Sequence, residues 1–598
     1  MIKSLDAVTF RTKTALTPFW RAWGVASSYL GEVTAWRARR ADTSFFNHVV
    51  ALAAADADPS PLASPFVSLI VPVFNTPPSY LSSVVSSVRS QRAGAAELIL
   101  SDDGSTDRAT CAWLDRNANA SDLRILRSGQ NRGIAAATNS GIAAARAPWV
   151  GFVDHDDALA PFALDRIHRA LSDRPECQFL YTDEVVTDAR LRPDAFFLKP
   201  AFDPVLLSGV NYINHLSLYR RERLVALGGL REGFNGSQDY DLLLRYTHDL
   251  DSAECLHLPY PAYLWRRDGA TLTALFYANA VANARRALAE AYDAPVGAAP
   301  GSLHRIRFDE RERDWPLVSV IIPNRDSFAL IAKVLEGLCR KTDYPRLEII
   351  ISDNGTMDNE VLELYEQCRR GPVPFQAVIE VEPFNFARAI NKGIARAKGE
   401  RILLLNNDIE ILSPDWLKEM VSCFDYPNVG VVGAKLLYPN RTLQHAGVIV
   451  GFGGLAGHWW LGHEENFPGP MGRLHVRQSM SSVTGACLMI SREAFKQVGL
   501  LDEDRFAVAY NDVDLCLRAL SKGYRVIWTP FACCVHNESA SRGSDETPAN
   551  IDRFQREKLN LKMRHATERY EDFAINPWYT KDRSSPTWMR LTHLPEAR

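Results

Sequence analysis

The sequence predicts an α/β protein of two tandem domains, each a parallel sheet with helices on both faces, with helical extensions at both ends. Three observations predict it. At 598 residues the chain exceeds what one hydrophobic core organises, so two large domains are the natural division. The chain also repeats itself. "VSLIVPVFN" begins at Val67 and "VSVIIPNRD" at Val318, 251 residues later, and the same offset carries Asp102 of "LILSDDGSTD" onto Asp353 of "IIISDNGTMD". An offset of 252 then carries Asn139 of "TNSGIAAARA" onto Asn391 of "INKGIARAKG" and Asp156 onto Asp408. Four matches in order point to a domain duplication. Finally, strand-like and helix-like segments alternate within each copy, which is the pattern of a parallel sheet.

Each copy opens on an apolar, β-branched run, turns, and enters an amphipathic helix. A second apolar strand follows and ends in acids at Asp102 and Asp103, or at Asp353 and Asn354. After another helix, a third strand runs into "DHDD" at residues 154–157 or "NNDI" at 406–409. In parallel sheets of this kind, ligands sit beyond the carboxyl ends of the strands, where these clusters fall. The first domain is expected over 61–290 and the second over 317–545. Between them 291–316, rich in small and charged residues, reads as a linker. Residues 1–60 form an N-terminal extension and 546–598 a charged, aromatic tail.

Composition excludes several classes. A hydrophobic content of 46% with 23% charged residues is that of a globular protein, and a net charge of -3 gives no electrostatic footprint for nucleic acid. Ten scattered cysteines, with only Cys533 and Cys534 adjacent, read as reduced thiols in a cytoplasmic protein. No apolar run reaches the ~18 residues of a membrane span. The first 40 residues mix Phe19, Trp20 and Trp23 with Arg11, Lys13 and Arg21. That suits an interfacial helix giving peripheral contact with the inner face of the membrane, and it suits still better a helix packed on the first domain, since amphipathic stripes usually face cores.

The strand-end acids carry the chemistry. Asp154, Asp156 and Asp157 fall within four residues, and ionising all of them in a dry cleft is costly without a cation. A hard divalent ion such as Mn or Mg, held by carboxylate and diphosphate oxygens, supplies that charge; a solvated acidic turn is the plainer alternative. Downstream, "QDYDLLLR" places Asp239 and "NDVDLCLR" places Asp512 at predicted helix starts. Each could act as a general base or merely cap its helix, and the residues alone leave this open. Between Asp408 and Asp512 lie His445, His458, His463 and His475 with Trp459 and Trp460. Their spacing matches no compact metal site, so this stretch is expected to be an acceptor-facing loop or a packed one.

Both halves resemble family 2 glycosyltransferases of the GT-A fold, over roughly 65–275 and 316–545. The second half resembles rhamnosyltransferase-like enzymes of bacterial surface polysaccharide synthesis through "NNDIE", "VTGACLMISREAF", "GLLDEDRF", "YNDVDLCLR", "GYRVIWTP" and "VHNESASRG". The resemblance implies an inverting hexosyl or rhamnosyl transfer from a UDP- or dTDP-linked sugar to a glycan or lipid-linked glycan, as in O-antigen or capsule synthesis. By position, Asp239 and Asp512 match the catalytic base, and Asp156, Asp408 and His536 match the metal ligands. Asp102, Asp103, Asp154, Asp353, Asn354, Asn406, Thr484 and Gly485 match positions around the nucleotide sugar and the acceptor-side turn. Where the second half has His536, the first is expected to have Tyr263 or Leu264, so that its site either binds metal weakly or leans on Arg266 and Arg267 for the diphosphate. Two readings follow: one transfer site in each half, or a catalytic second half joined to a glycan-binding or scaffolding first half.

Overall fold

The structure is a computed structural model that describes residues 42–267, 274–537 and 550–581. The expected interfacial stretch, residues 1–40, lies outside them. Among the described residues no helix is long and apolar enough to cross a membrane.

The first sheet is built from β1 (Val67–Val73), β2 (Ala96–Asp102), β3 (Leu123–Arg127), β4 (Trp149–Phe152), β5 (Ala158–Leu159), β6 (Phe179–Thr187), β7 (Pro193–Phe197), β8 (Ser217–Arg220) and β9 (Cys255–Arg266). Its order is β3-β2-β1-β4-β8-β6-β9-β5, with β7 hairpinned onto β6. A hairpin, β10 (Val296–Ala299) and β11 (Leu303–Ile306), occupies the segment read as a linker.

The second sheet contains β12 (Val318–Asn324), β13 (Leu347–Asp353), β14 (Phe375–Ile379), β15 (Arg401–Leu405), β16 (Ile409–Ile411), β17 (Val429–Leu437) and β18 (Leu443–His445). After a small separate hairpin, β19 (Val448–Val450) and β20 (Ala456–His458), it is completed by β21 (Gln478–Ser479), β22 (Cys487–Ser491) and β23 (Arg525–His536). Its order, β14-β13-β12-β15-β22-β17-β23-β16, repeats the first strand for strand, with β18 on β17 in the place of β7 on β6.

The sheets are mixed rather than wholly parallel. β1 to β4 run parallel as expected, but β8 lies antiparallel between β4 and β6, and β22 does the same in the second half. The chain leaving β6 turns back through β7 and stays at the carboxyl edge, so β8 has no crossover helix to return it to the opposite end and must run the other way. The strands are buried because their residues are: Val67, Leu69, Ile70 and Val71, and likewise Val318, Val320, Ile321 and Ile322, are fully enclosed.

The halves are not independent beads. One apolar cluster runs across both, from Tyr212, Tyr240 and Leu288 to Phe308, Tyr426 and Val476. Asp203 of the first half accepts from Ser479 N and Ser479 Oγ of the second, both at 2.7 Å, and Ser208 Oγ lies 2.7 Å from Tyr426 Oη. A Cβ on Gly209 would stand 2.5 Å from Val476 Cβ, so only glycine lets these backbones approach.

The tail then returns across the seam. Asn576 Nδ2 donates to Asp183 Oδ1 and Oδ2 at 3.0 and 2.9 Å and to Lys199 O, and Trp578 Nε1 donates to Pro259 O at 2.7 Å. Asp183 is fully buried, so Asn576→Ala leaves a charged group short of a donor. We expect a loss of about 1–3 kcal/mol in unfolding free energy. A denaturant titration that matched the native chain would mean the tail merely rests on the first half.

Candidate active site

In the second half the sheet delivers its polar residues to one mouth. A cavity of about 480 Å³ is lined by Asn354, Asn406, Asp408, Thr484, Gly485, Asp512 and His536, among others. These come from β13, the end of β15, the turn before β22, the start of the helix Asn511–Ser521 and the end of β23.

The strand pairing fixes Asp408 against His536. Ile409 is registered opposite His536, and Asn537 N donates to Asp408 O at 3.0 Å, so the residue just before β16 stands beside the last residue of β23. His536 Nε2 is 3.1 Å from Asp408 Oδ1, and its Nδ1 is 2.7 Å from Gln444 Oε1. An amide oxygen can only accept, so Nδ1 carries a proton; Nε2 is directed at the carboxylate and lies 3.3 Å from Asn406 Nδ2, an amide donor that makes Nε2 an acceptor and the ring neutral. Asp408 Oδ1 and Asn406 Oδ1 are both buried without a hydrogen-bond donor. Asn406 Oδ1, Asp408 Oδ1 and His536 Nε2 thus bring acceptor atoms together, with only the Asn406 Nδ2 amide directed at one of them, a donor set that fits a divalent cation completed by diphosphate oxygens.

Asp512 sits in the first helical turn, reached through Tyr510 at φ 61°. Its Oδ2 accepts from Gly485 N at 2.8 Å. A Cβ on residue 485 would stand 3.3 Å from Asp512 Cβ, so the glycine lets the turn approach the carboxylate closely. The helix start is held from outside the expected domain. Glu557 of the helix Ile551–His565 accepts from Val508 N at 2.9 Å and Ala509 N at 3.1 Å, and His565 Nε2 lies 2.9 Å from Asp514 Oδ1.

Asp353, by contrast, is spent on its own turn. It accepts from Thr356 N, Thr356 Oγ1 and Tyr365 Oη, all at 2.7 Å. Asn354, one residue on, is the group that faces the cavity. The histidine and tryptophan stretch is packed. Trp459 and Trp460 are buried, and His445 Nδ1 lies 2.9 Å from His458 Nδ1. Burial pushes the His445 imidazole well below its ordinary pKa. His445 Nε2 accepts from Thr484 N at 3.3 Å, so the insertion supports the cavity from behind, and its tryptophans are enclosed by core rather than offered to a sugar.

The first half places its residues differently. Asp102 pairs with Arg127 at 2.9 Å, and Asp103 accepts from Arg132 N and Gly133 N at the head of the helix Ile134–Ala144. Asp239 opens the helix Gln238–Thr247, as Asp512 opens its own, and accepts from Asn211 Nδ2 at 3.1 Å. Asp157 is taken up by Tyr263 Oη and Arg266 N, both at 2.7 Å; burial, with Asp154 nearby, pushes it up to about 8.

Two expectations change here. Leu159 pairs with Tyr263 as Ile411 pairs with Cys534, so the counterpart of His536 is Trp265, one residue beyond Leu264 and two beyond Tyr263. The sequence misaligns it because no motif anchors β9. Arg266 is not free for a diphosphate, since its guanidinium donates to Asp156 O, Ala189 O and Ser83 Oγ. Arg267 lies over the Trp265 ring.

Residues 68–227 and 319–499, together more than half the chain, match the model of glycosyl transferase family 2. An uncharacterised protein, y4gI, of Sinorhizobium fredii is 39% identical over 89% of this chain and 60% of its own length. The O-antigen biosynthesis protein RfbC of Myxococcus xanthus is 37% identical over 81% of this chain and 38% of its own. The chain therefore spans less than two thirds of these relatives. Among solved structures, a Pyrobaculum calidifontis mannosyltransferase in complex with GDP-Man and Mn2+ is 20% identical, covering 39% of this chain and 63% of its own, with a TM-score of 0.29.

Proposed function

Because the chain belongs to glycosyl transferase family 2, with the GT-A arrangement in each half, we propose that its second half transfers a sugar from a UDP- or dTDP-linked donor to a bacterial surface glycan. The observation that carries this reading is the convergence of Asp408, Asn406, His536 and Asp512 on one cavity.

Asn354 lines the side of the cavity near the ends of β12 and β13, where the nucleotide enters. A divalent cation bound by Asp408, Asn406 and His536 would neutralise charge on the leaving diphosphate. Asp512 takes the proton from the attacking acceptor hydroxyl, with Gly485 N–H on Oδ2 keeping the carboxylate directed at the cavity. A base on the face opposite the departing diphosphate gives inversion at the sugar carbon. The acceptor reading, a lipid-linked or growing O-antigen or capsule glycan, draws support from the match to RfbC.

Asp408→Asn tests the metal part. It should abolish Mn- or Mg-dependent transfer while leaving the unfolding midpoint near that of the native chain, because the carboxylate lies at a strand end outside the apolar core. Full activity in excess chelator would remove the cation from the reading.

A second transfer site in the first half is favoured by one observation: Asp239 stands at the same helix start as Asp512. Residual transfer that persists in Asp512→Asn and disappears when Asp239→Asn is added would establish it. No residual transfer with any donor would leave the first half as a glycan-binding or scaffolding module.

A further inference from the structure

The duplication lets the two clefts be superposed by register, and they differ in how they balance charge. Gly151 pairs with Leu218 as Leu403 pairs with Met489, so counting back along β8 and β22 puts His215 where Ala486 stands. The second half has a methyl group there; the first has an imidazole.

Both ring nitrogens of His215 face carboxylates. Nε2 is 3.3 Å from Asp154 Oδ2, and Nδ1 is 3.3 Å from Glu184 Oε2. Carboxylates only accept, so both nitrogens carry protons and the ring is a cation. Its face is stacked on Tyr263, with centroids 4.6 Å apart, which holds it in the cleft. Behind it Lys199, fully buried, lies 3.8 Å from Glu184 Oε2 and donates to the carbonyls of Ile213 and His215. Two fixed positive groups therefore stand among Asp154 and Glu184.

The second half differs at three further positions. Asn406 replaces Asp154, Leu436 replaces Glu184 by the pairing of β6 and β17 with their neighbours, and His536 replaces Trp265. An indole offers no lone pair to a hard cation, and a divalent ion beside a protonated imidazole meets like charge. The first cleft does not fit the ion that the family implies.

We infer that, of the two clefts, only that of the second half holds a divalent cation, and that the first half balances its strand-end carboxylates with its own His215 and Lys199. The inference rests on reading Asn406, Asp408 and His536 as a cation site. It makes Asp156, which matches Asp408 in sequence, a residue without a metal.

Titrating the full chain with Mn²⁺ alone, with bound ion counted by electron paramagnetic resonance, tests this without any assay of transfer. The expected count is one per chain, lost in His536→Ala and retained in Asp156→Asn. Two ions in the native chain overturn the inference through the first half. None overturns it through the second, and removes the cation reading of that site as well. A single ion lost in Asp156→Asn and kept in His536→Ala also overturns it. A chain carrying His215→Ala and Trp265→His, with native circular dichroism, should gain a second ion; failure to gain one would overturn the assignment of those two residues as the cause.

Discussion

Asp512→Asn is expected to lower the rate of the chemical step by about 10²–10⁴-fold while donor affinity stays close to native. The asparagine keeps the size of the side chain, and its Oδ1 can still accept from Gly485 N, now 2.8 Å from the carboxylate, so the helix start should hold its shape. What is lost is the ability to take a proton. Single-turnover transfer measured beside nucleotide-diphosphate binding separates the two. A variant that lost donor binding and kept its rate at saturation would show that Asp512 holds the donor, and the base would have to be sought elsewhere. Gly485→Ala is the companion test: its new Cβ, 3.3 Å from Asp512 Cβ, should displace the carboxylate and lower the rate with the acid still present.

The duplication was legible because strand-end acids and β-branched runs repeat at nearly constant spacing, and the sheets follow that repeat from β1 to β4 and from β12 to β15. Asp408, Asp512 and His536 could be named for the same reason: each ends a strand or opens a helix, where spacing along the chain sets position in space. The antiparallel β8 and β22 were hidden, since hydrophobic pattern carries no direction. Glu557 and His565 were missed because a charged helix such as "IDRFQREKLNLKMRH" reads as a solvated face unless one knows that Glu557 is buried against Val508 and Ala509. His215 was missed because its role depends on Glu184 and Lys199, which reach it from other strands and loops. Trp459 and Trp460 misled in the other direction: an aromatic pair in a glycine-rich insertion suits sugar stacking and core packing alike, and only burial decides.

Arg477→Met should be the most destabilising single change among the ion pairs described, at about 3–5 kcal/mol, because it strands a buried carboxylate. Glu419 is fully enclosed and is held by Arg477 Nε and Nη2 at 2.7 and 2.6 Å, by Arg305 Nη2 at 3.0 Å and by Thr529 Oγ1 at 2.6 Å. Arg477 also donates to Ile306 O at 2.8 Å, so the cluster ties the hairpin between the halves to the second sheet. Burial by itself would raise the Glu419 carboxyl, but Arg477 and Arg305 outweigh it and hold it down to about 2, against 4.5 in a free chain. The folded value is the lower one, so this stabilisation is complete above about 4.5 and drains away as pH falls toward 2. The native chain should therefore lose stability steeply across that window. Arg477→Met should be weaker at neutral pH and flatter in acid. Adding Glu419→Met to Arg477→Met should recover much of the loss, since a well-packed apolar pair replaces the ion pair at little net cost. Urea titrations of the three chains at pH 7 and pH 3.5 would decide it. An Arg477→Met chain within about 1 kcal/mol of native at pH 7 would mean that Arg305 and Thr529 alone satisfy Glu419, and that the seam between the halves depends on its other contacts instead.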